Sequence, residues 1–236
     1  MQTVLITGAN RGLGLEFAEQ YASEGWETLA TARQLAKADE LHSRASKHTN
    51  LSLFELDIAS DHSVRDLAQK LHGKPIDLLL HNSGIYPRKG QNIGQIDYEG
   101  WREAMEVNLF GVLRLTEALL ENVAASGRKQ IAAISTGLSS LRGVQTGPVG
   151  NSWTSYQYRT SKTALNMALS VLAKELEPRG ISVAIIDPGW VKTDMGGPGA
   201  QLTPQQSISG IRRVLAGDPK KISGMFLGYD GEVRPW

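Results

Sequence analysis

Two stretches of the sequence hold side chains whose types and spacing could do chemistry. The first is Val4-Leu5-Ile6-Thr7-Gly8-Ala9-Asn10-Arg11-Gly12-Leu13-Gly14. A short apolar, β-rich run leads into a glycine turn, and from there Leu13, Phe17, Ala18 and Tyr21 fall at helical spacing. Strand, glycine turn and helix make a phosphate-binding arrangement. Glycines let the backbone approach a pyrophosphate, and a helix N-terminus offers free N–H groups and a partial positive charge. The second stretch is Tyr156-Gln157-Tyr158-Arg159-Thr160-Ser161-Lys162. Tyr158 and Lys162 are one helical turn apart and project from one face, whereas Tyr156 has no such partner.

The rest of the chain alternates between apolar runs and helical patterns, which positions those groups. Trp26 to Thr31 reads as a second strand, Gln34 to Lys47 as a helix, Leu51 to Leu56 as a third strand and Ser60 to Leu71 as a helix. Pro75 to Leu80 is a fourth strand ending in His81-Asn82-Ser83-Gly84, followed by a polar loop from Tyr86 to Ile96. Asp97 caps a helix containing Trp101 and Met105, and Leu109 to Ala125 continues helically. Ile131 to Ile134 is the fifth strand, and Ser135-Thr136-Gly137 follows it. Leu141 to Thr154 reads as a loop over the substrate site with Trp153 as a wall. The helix carrying Tyr158 runs to about Glu177, where Pro178-Arg179-Gly180 ends it. Ile181 to Ile186 is the sixth strand, Gly196-Gly197-Pro198-Gly199 reads as a lid hinge, Thr203-Pro204 opens a helix to about Ala216, and Met225 to Leu227 is the last strand. This alternation predicts an α/β fold: one domain over residues 1–236, a doubly wound parallel sheet of Rossmann type with about seven strands and helices on both faces.

Composition bounds the function. With 236 residues and 41% apolar content the chain can bury one sizeable core and little more. A net charge of +1 without a long basic run argues against nucleic acid or an anionic membrane as partner. The absence of cysteine excludes disulfides and thiol chemistry. No His/carboxylate cluster has metal-ligand spacing, so no metal is expected. No signal peptide or long apolar span is seen, and a cytoplasmic protein is the expectation. The helices from Leu109 and from Tyr158 spread apolar residues over more than one face, which points to a homo-oligomer, dimer or tetramer, or to cover from the chain's own loops.

Thr7-Gly8-x-x-x-Gly12-x-Gly14 with Tyr158-x-x-x-Lys162 resembles the classical short-chain dehydrogenases/reductases, over essentially the whole chain. Tyr-Arg-x-Ser-Lys, Pro-Gly-Trp-Val-Lys-Thr-Asp-Met-Gly-Gly and the ending Tyr-Asp-Gly-x-x-x-Pro-Trp resemble the C-factor-like carbonyl reductases among them. The resemblance implies NADP(H) as cofactor, a small carbonyl or alcohol substrate, and hydride transfer with Tyr158 as proton donor or acceptor. Lys162 would hold the nicotinamide ribose and favour the phenolate, Thr136 would orient the carbonyl, and Asn108 would support a helix kink and a proton-relay water. Cofactor contacts are implied for Gly8, Asn10, Arg11, Gly12, Leu13, Gly14, Asn82, Ser83, Gly84, Pro188, Gly189, Val191 and Thr193. Asp57, with Ile58 beside it, would meet the adenine; its other reading is a turn or helix cap.

Two positions set this chain apart. The family's Asn-Asn-Ala-Gly reads His81-Asn82-Ser83-Gly84 here, and His81 reads as structural. The family's common Ile-Ser-Ser reads Ile134-Ser135-Thr136, leaving Ser135 and Ser139 as fallbacks for the hydroxyl. At the end of the second strand Arg33 stands with no acid nearby, and Arg11 lies in the glycine turn. Either can be a solvated surface arginine, but two cations without an acid favour NADP over NAD. The changed residues also leave open a second function: an NADP-binding regulatory or signalling protein with vestigial activity. The intact Tyr158–Lys162 pair argues against it. The loops at Tyr86–Ile96, Leu141–Thr154 and Gly196–Leu202 carry no chemical label for the substrate.

Overall fold

The computed structural model describes residues 1–87, 92–146 and 155–236. Its strands are β1 (Thr3–Ile6), β2 (Glu27–Ala32), β3 (Leu51–Glu55), β4 (Leu78–His81), β5 (Gln130–Ile134), β6 (Ser182–Asp187) and β7 (Phe226–Gly228). The helices are α1 (Gly12–Ser23), α2 (Asp39–Ala45), α3 (Asp61–Lys70), α4 (Tyr98–Met105), α5 (Gly111–Ala124), α6 (Leu141–Thr146), α7 (Tyr156–Leu176), α8 (Pro204–Ala216) and α9 (Pro219–Ile222). All strands are parallel, in the order β3-β2-β1-β4-β5-β6-β7. The order reverses between β1 and β4, and at such a switch point the loops leaving the strands part and open a crevice.

Alternation along each strand divides the interior into two layers. Leu5, Leu29, Leu79, Ile131, Val183 and Ile185 face α3, α5 and α7. Val4, Ile6, Ala30, Leu80, Ala132, Ala184 and Ile186 face α1 and α8. Because helices cover both faces, the central strands are apolar on both, which makes them short continuous runs in the sequence.

Three expected elements differ. The helix over Gln34–Lys47 is broken: a single tight turn at Leu35–Lys37 precedes α2, because Ala38 drops into the core at 2% exposure with non-helical backbone. Asp39 and Glu40 then restart the helix at the end its dipole favours. The fourth strand begins at Leu78, since Pro75 has no N–H and Ile76 donates to the Asn122 carbonyl. Leu141–Thr146 is helical rather than loop: Ser140 Oγ accepts from the Gly143 N–H, and the Arg142 N–H donates to the Trp236 carbonyl. Trp153 lies outside the described residues. The short α9, capped by Asp218, had no sequence expectation. Asp97 caps α4 as expected.

His81 ends β4, buried at 1% exposure under α5. Its Nε2 lies 2.9 Å from Thr116 Oγ1, whose own hydrogen goes to the Val112 carbonyl. Nε2 must therefore be the donor, and Nδ1 is an acceptor with no partner among the described residues. Burial, with the Lys162 charge behind it, holds the His81 pKa down at about 3. The folded value is depressed, so stability is unaffected above the unfolded value of about 6.5 and falls by about 1.4 kcal/mol per pH unit below it, down to about pH 3. Denaturant unfolding across that range should show this slope as the difference between the wild type and His81→Asn; parallel curves would mean that His81 takes up a proton in the folded state.

Candidate active site

The glycine turn after β1 takes its shape from close approach. Gly8 and Gly12 have φ of 67° and 56°, in the left-handed region. A Cβ on Gly8 would lie 2.8 Å from Ser83 Oγ, and one on Gly14 would run into the Gly8 carbonyl oxygen. Across the switch point, Thr7 Oγ1 accepts from the N–H groups of both Asn82 and Ser83 at 2.9 Å. Asn82 Nδ2 donates to the carbonyls of Thr7 and Gly8 at 3.0 and 3.1 Å. The turns after β1 and β4 are thus stitched into one cradle. Above it α1 begins with neither a side-chain cap nor an acid in its first turn, so its leading N–H groups stand ready for an anion. Asn10, Gly12 and Leu13 are half-buried there.

Residues of the expected adenosine end are less uniform. Arg33 is exposed just past β2. Arg11 turns the other way and pairs with Asp194 at 2.7 Å, both side chains largely exposed. Asp57 Oδ1 accepts from the Ala59 N–H at 3.0 Å, while Ser60 caps α3. Asp57 therefore forms a turn, and Ile58 beside it is buried with its carbonyl on Arg114.

At the centre, α4 passes into α5 through one widened, π-helical turn, Glu106–Phe110. This turn holds Asn108 fully buried. Asn108 exchanges hydrogen bonds with the Ile85 backbone at 2.8 and 3.0 Å and donates to Ser161 Oγ at 3.0 Å. Gly84 fills the gap between Asn108 and Lys162; a Cβ there would lie 3.4 Å from Lys162 Nζ. Lys162 Nζ, buried, donates to the Ile134 carbonyl at 2.8 Å, and desolvation brings its pKa down to about 8.

Three hydroxyls compete for one position, and the geometry separates them. Ser135 Oγ is buried and donates to Asn166 Oδ1 at 2.5 Å. Ser139 Oγ, also buried, donates to the Thr136 carbonyl at 2.6 Å and accepts from Asn166 Nδ2 at 2.7 Å. Thr136 is half-buried, and its hydroxyl meets Tyr158. Tyr158 is 8% exposed, with the Tyr86 ring 4.7 Å from its own, centroid to centroid. Burial raises the Tyr158 pKa above that of an ordinary phenol; the charges of Asp187 and Tyr86 add to this, and the Thr136 hydrogen bond opposes it. The net direction is opposite to the expected lowering by Lys162, whose ammonium gives one of its three hydrogens to the Ile134 carbonyl. The site holds Tyr158 as a neutral phenol.

The turn after β6 closes the cluster. Pro188 is buried, and Gly189 takes φ of 74° against Leu202 and Tyr229. Val191 pairs with Leu202 in an isolated bridge, and Thr193 Oγ1 accepts from Gly196 N–H at 3.2 Å while its methyl approaches Gly12. The sequence reading missed Asp187, Asn166 and Tyr86. Asp187 Oδ1 accepts from the N–H groups of Gly137 at 2.9 Å and Gly189 at 3.3 Å. Asp-Pro-Gly is a turn signal that could have revealed it, and Asn166 continues the Tyr158, Lys162 spacing by one more turn.

Residues 2–201 match the family described as short chain dehydrogenase. The C-signal protein of Myxococcus xanthus is 34% identical over 173 residues, covering 73% of this chain and 100% of that protein. Among solved structures, the NADPH-bound carbonyl reductase from chicken fatty liver is 31% identical with a TM-score of 0.91, covering 100% of this chain and 99% of its own. The carbonyl reductase Sniffer of D. melanogaster is 30% identical with a TM-score of 0.90, and both chains are covered in full, 100% each.

The stitched cradle yields a direct test. Thr7→Val deletes the acceptor of two backbone N–H groups and should cost about 2–4 kcal/mol in denaturant unfolding. Ser83→Ala keeps its N–H and should stay within about 0.5 kcal/mol of wild type. Equal stability of all three chains would show that the Thr7 bonds contribute nothing.

Proposed function

From the premise that this chain belongs to the short-chain dehydrogenase family, we propose that it is an NADPH-dependent reductase of aldehydes or ketones. The observation that carries the reading is the division of hydroxyls: Ser135 and Ser139 are consumed by Asn166, and Thr136 alone meets Tyr158. The cradle fits a dinucleotide. Its glycines leave room that a Cβ would fill, and the α1 N-terminus is uncapped. Thr7 to Gly14 and Asn82 to Gly84 would hold the diphosphate and its flanking ribose. Pro188, Gly189, Val191 and Thr193 would line the nicotinamide end, with Asp57 and Ile58 toward the adenine. Of the two arginines, Arg33 has no ion pair among the described residues and would meet a 2′-phosphate, whereas Arg11 pairs with Asp194.

When bound, the cofactor supplies the hydride. The chain's own groups handle the oxygen. Thr136 Oγ1 donates to the substrate carbonyl and orients it. Tyr158 transfers its phenolic proton to that oxygen as negative charge develops there. A neutral phenol is the state that donates the proton in reduction, and burial keeps Tyr158 in that state. Lys162 lies one turn away with its pKa brought down to about 8, suited to returning a proton to Tyr158, and Asn108 fixes the helix turn behind it. Both residues are thereby parts of the proton supply rather than contacts of the carbonyl. We extend the proposal to self-association through the turn leading into α5 and the outer face of α7, where Phe110, Met167 and Val171 are exposed. The regulatory alternative is disfavoured by this complete donor set.

Thr136→Ala should cut kcat by about 100- to 1,000-fold, the usual cost of one preorganised donor to a developing oxyanion. Thr136→Ser should keep activity. Ser135→Ala and Ser139→Ala should cost about 1–3 kcal/mol of stability through the orphaned Asn166, with kcat preserved. Tyr158→Phe should lose turnover with cofactor affinity nearly intact. A silent Thr136→Ala beside a dead Ser139→Ala would move the role to Ser139. Fluorescence titration supplies the cofactor test: Arg33→Ser should weaken NADPH by about 10- to 100-fold and leave NADH unchanged. Equal losses for both cofactors would remove Arg33 from the 2′-phosphate.

A further inference from the structure

The tail after β7 returns to the site. Gly231 turns the chain at φ of 86°, Val233 pairs antiparallel with Leu227, and the Arg234 N–H donates to the Phe226 carbonyl at 2.8 Å. This places the Arg234 side chain across Gly228, where any Cβ would run into its guanidinium. Arg234 Nε donates to Asp187 Oδ2 at 3.2 Å, and Nη2 reaches Asp230 Oδ2 at 2.9 Å. The other oxygen of Asp187 holds the N–H groups of Gly137 and Gly189. One carboxylate therefore joins three segments distant in sequence: the turn carrying Thr136, the Pro188–Gly189 turn and the tail. Only 12% of the Asp187 side chain and 22% of the Arg234 side chain are exposed, so water does little to screen the pair.

We propose that Arg234 is a positioning residue for carbonyl reduction: by pairing with Asp187 it keeps the Thr136–Gly137 turn and the Pro188–Gly189 turn tied together around the reacting groups. The proposal rests on the reductase reading above. Without Arg234 the Asp187 carboxylate would lose the group that fixes its Oδ2, loosening its hold on Gly137 and Gly189. Tyr158 faces Asp187 from β6 and Tyr86 from the loop after β4, with Arg159 and Lys162 on its own helix. Asp230 and Glu232 share Arg234 on the tail side. Asp187 opposes the phenolate; because Arg234 pairs with that carboxylate, losing Arg234 should leave its charge unbalanced and raise the Tyr158 pKa further.

The test compares wild type, Arg234→Met, Arg234→Lys, Gly228→Ala and the double variant Asp187→Asn/Arg234→Met. In alcohol oxidation, where the phenolate is needed, the acid limb of kcat, which rises with pH, should move up by about one pH unit in Arg234→Met and return in the double variant. Arg234→Lys should stay near wild type. Amide hydrogen exchange, which needs no substrate, should quicken about tenfold at Gly137 and Gly189 in Arg234→Met. Gly228→Ala displaces the guanidinium without touching its charge and should quicken the same amides; it carries the test if Arg234→Met does not fold. Exchange that quickens only in the tail, or a pH limb that does not move, would overturn the proposal. A wild type that reduces no carbonyl removes the reading beneath it, whereas unchanged exchange and pH limb in an active enzyme remove the role of Arg234 alone.

Discussion

The site depends on the hydroxyl of Thr7. Parallel strands β1 and β4 part at the switch point, where the ladder cannot supply partners for the amides just beyond β4. Thr7 Oγ1 accepts two of them, from Asn82 and Ser83, and Asn82 returns two bonds to the glycine turn. This reciprocal stitching sets the distance between the turn that would cradle a diphosphate and the Gly84 gap beside Lys162. Gly84 in turn leaves room for Asn108 and Lys162, so the turn proposed for the diphosphate and the groups proposed to handle the proton share one floor.

On that floor the chemistry is decided by which polar groups are already occupied. Lys162 is bound to the Ile134 carbonyl, Asn166 takes both Ser135 and Ser139, and Asp187 takes two backbone amides and Arg234. A buried polar group with its partners in place is costly to redirect. Among these described hydroxyls Thr136, which accepts from the Leu138 N–H, is the one that meets the Tyr158 phenol, whose pKa is raised by burial and by the carboxylate of Asp187. Positive charge near the phenol would favour its phenolate, and Lys162 and Arg234 both reach elsewhere for their bonds.

Much of this was legible in the sequence for physical reasons. Strands buried on both faces give unbroken apolar runs, a left-handed turn demands glycine at 8 and 12, and helical period puts Tyr158 and Lys162 on one face. The break before α2 was not legible, because it follows from the burial of Ala38 by other elements. Nor was α6, whose capping depends on Ser140 and on Trp236, far along the chain. The direction of the Tyr158 shift was misjudged because spacing shows that a lysine is near but not where its Nζ points. Thr136 was singled out by position, and the structure adds why its neighbours are unavailable. Asp187 passed unnoticed since its partners, Gly137, Gly189 and Arg234, meet only in the fold.

As proposed, a carbonyl carbon in this cleft would take a hydride from NADPH and its oxygen a proton from Tyr158. The most direct measurement follows NADPH carrying deuterium at the transferring position through a panel of aldehydes and ketones. One NADPH should be consumed per alcohol formed, with deuterium on the carbinol carbon and none on its oxygen in water. A chain that binds NADPH tightly yet leaves every carbonyl unlabelled would contradict it.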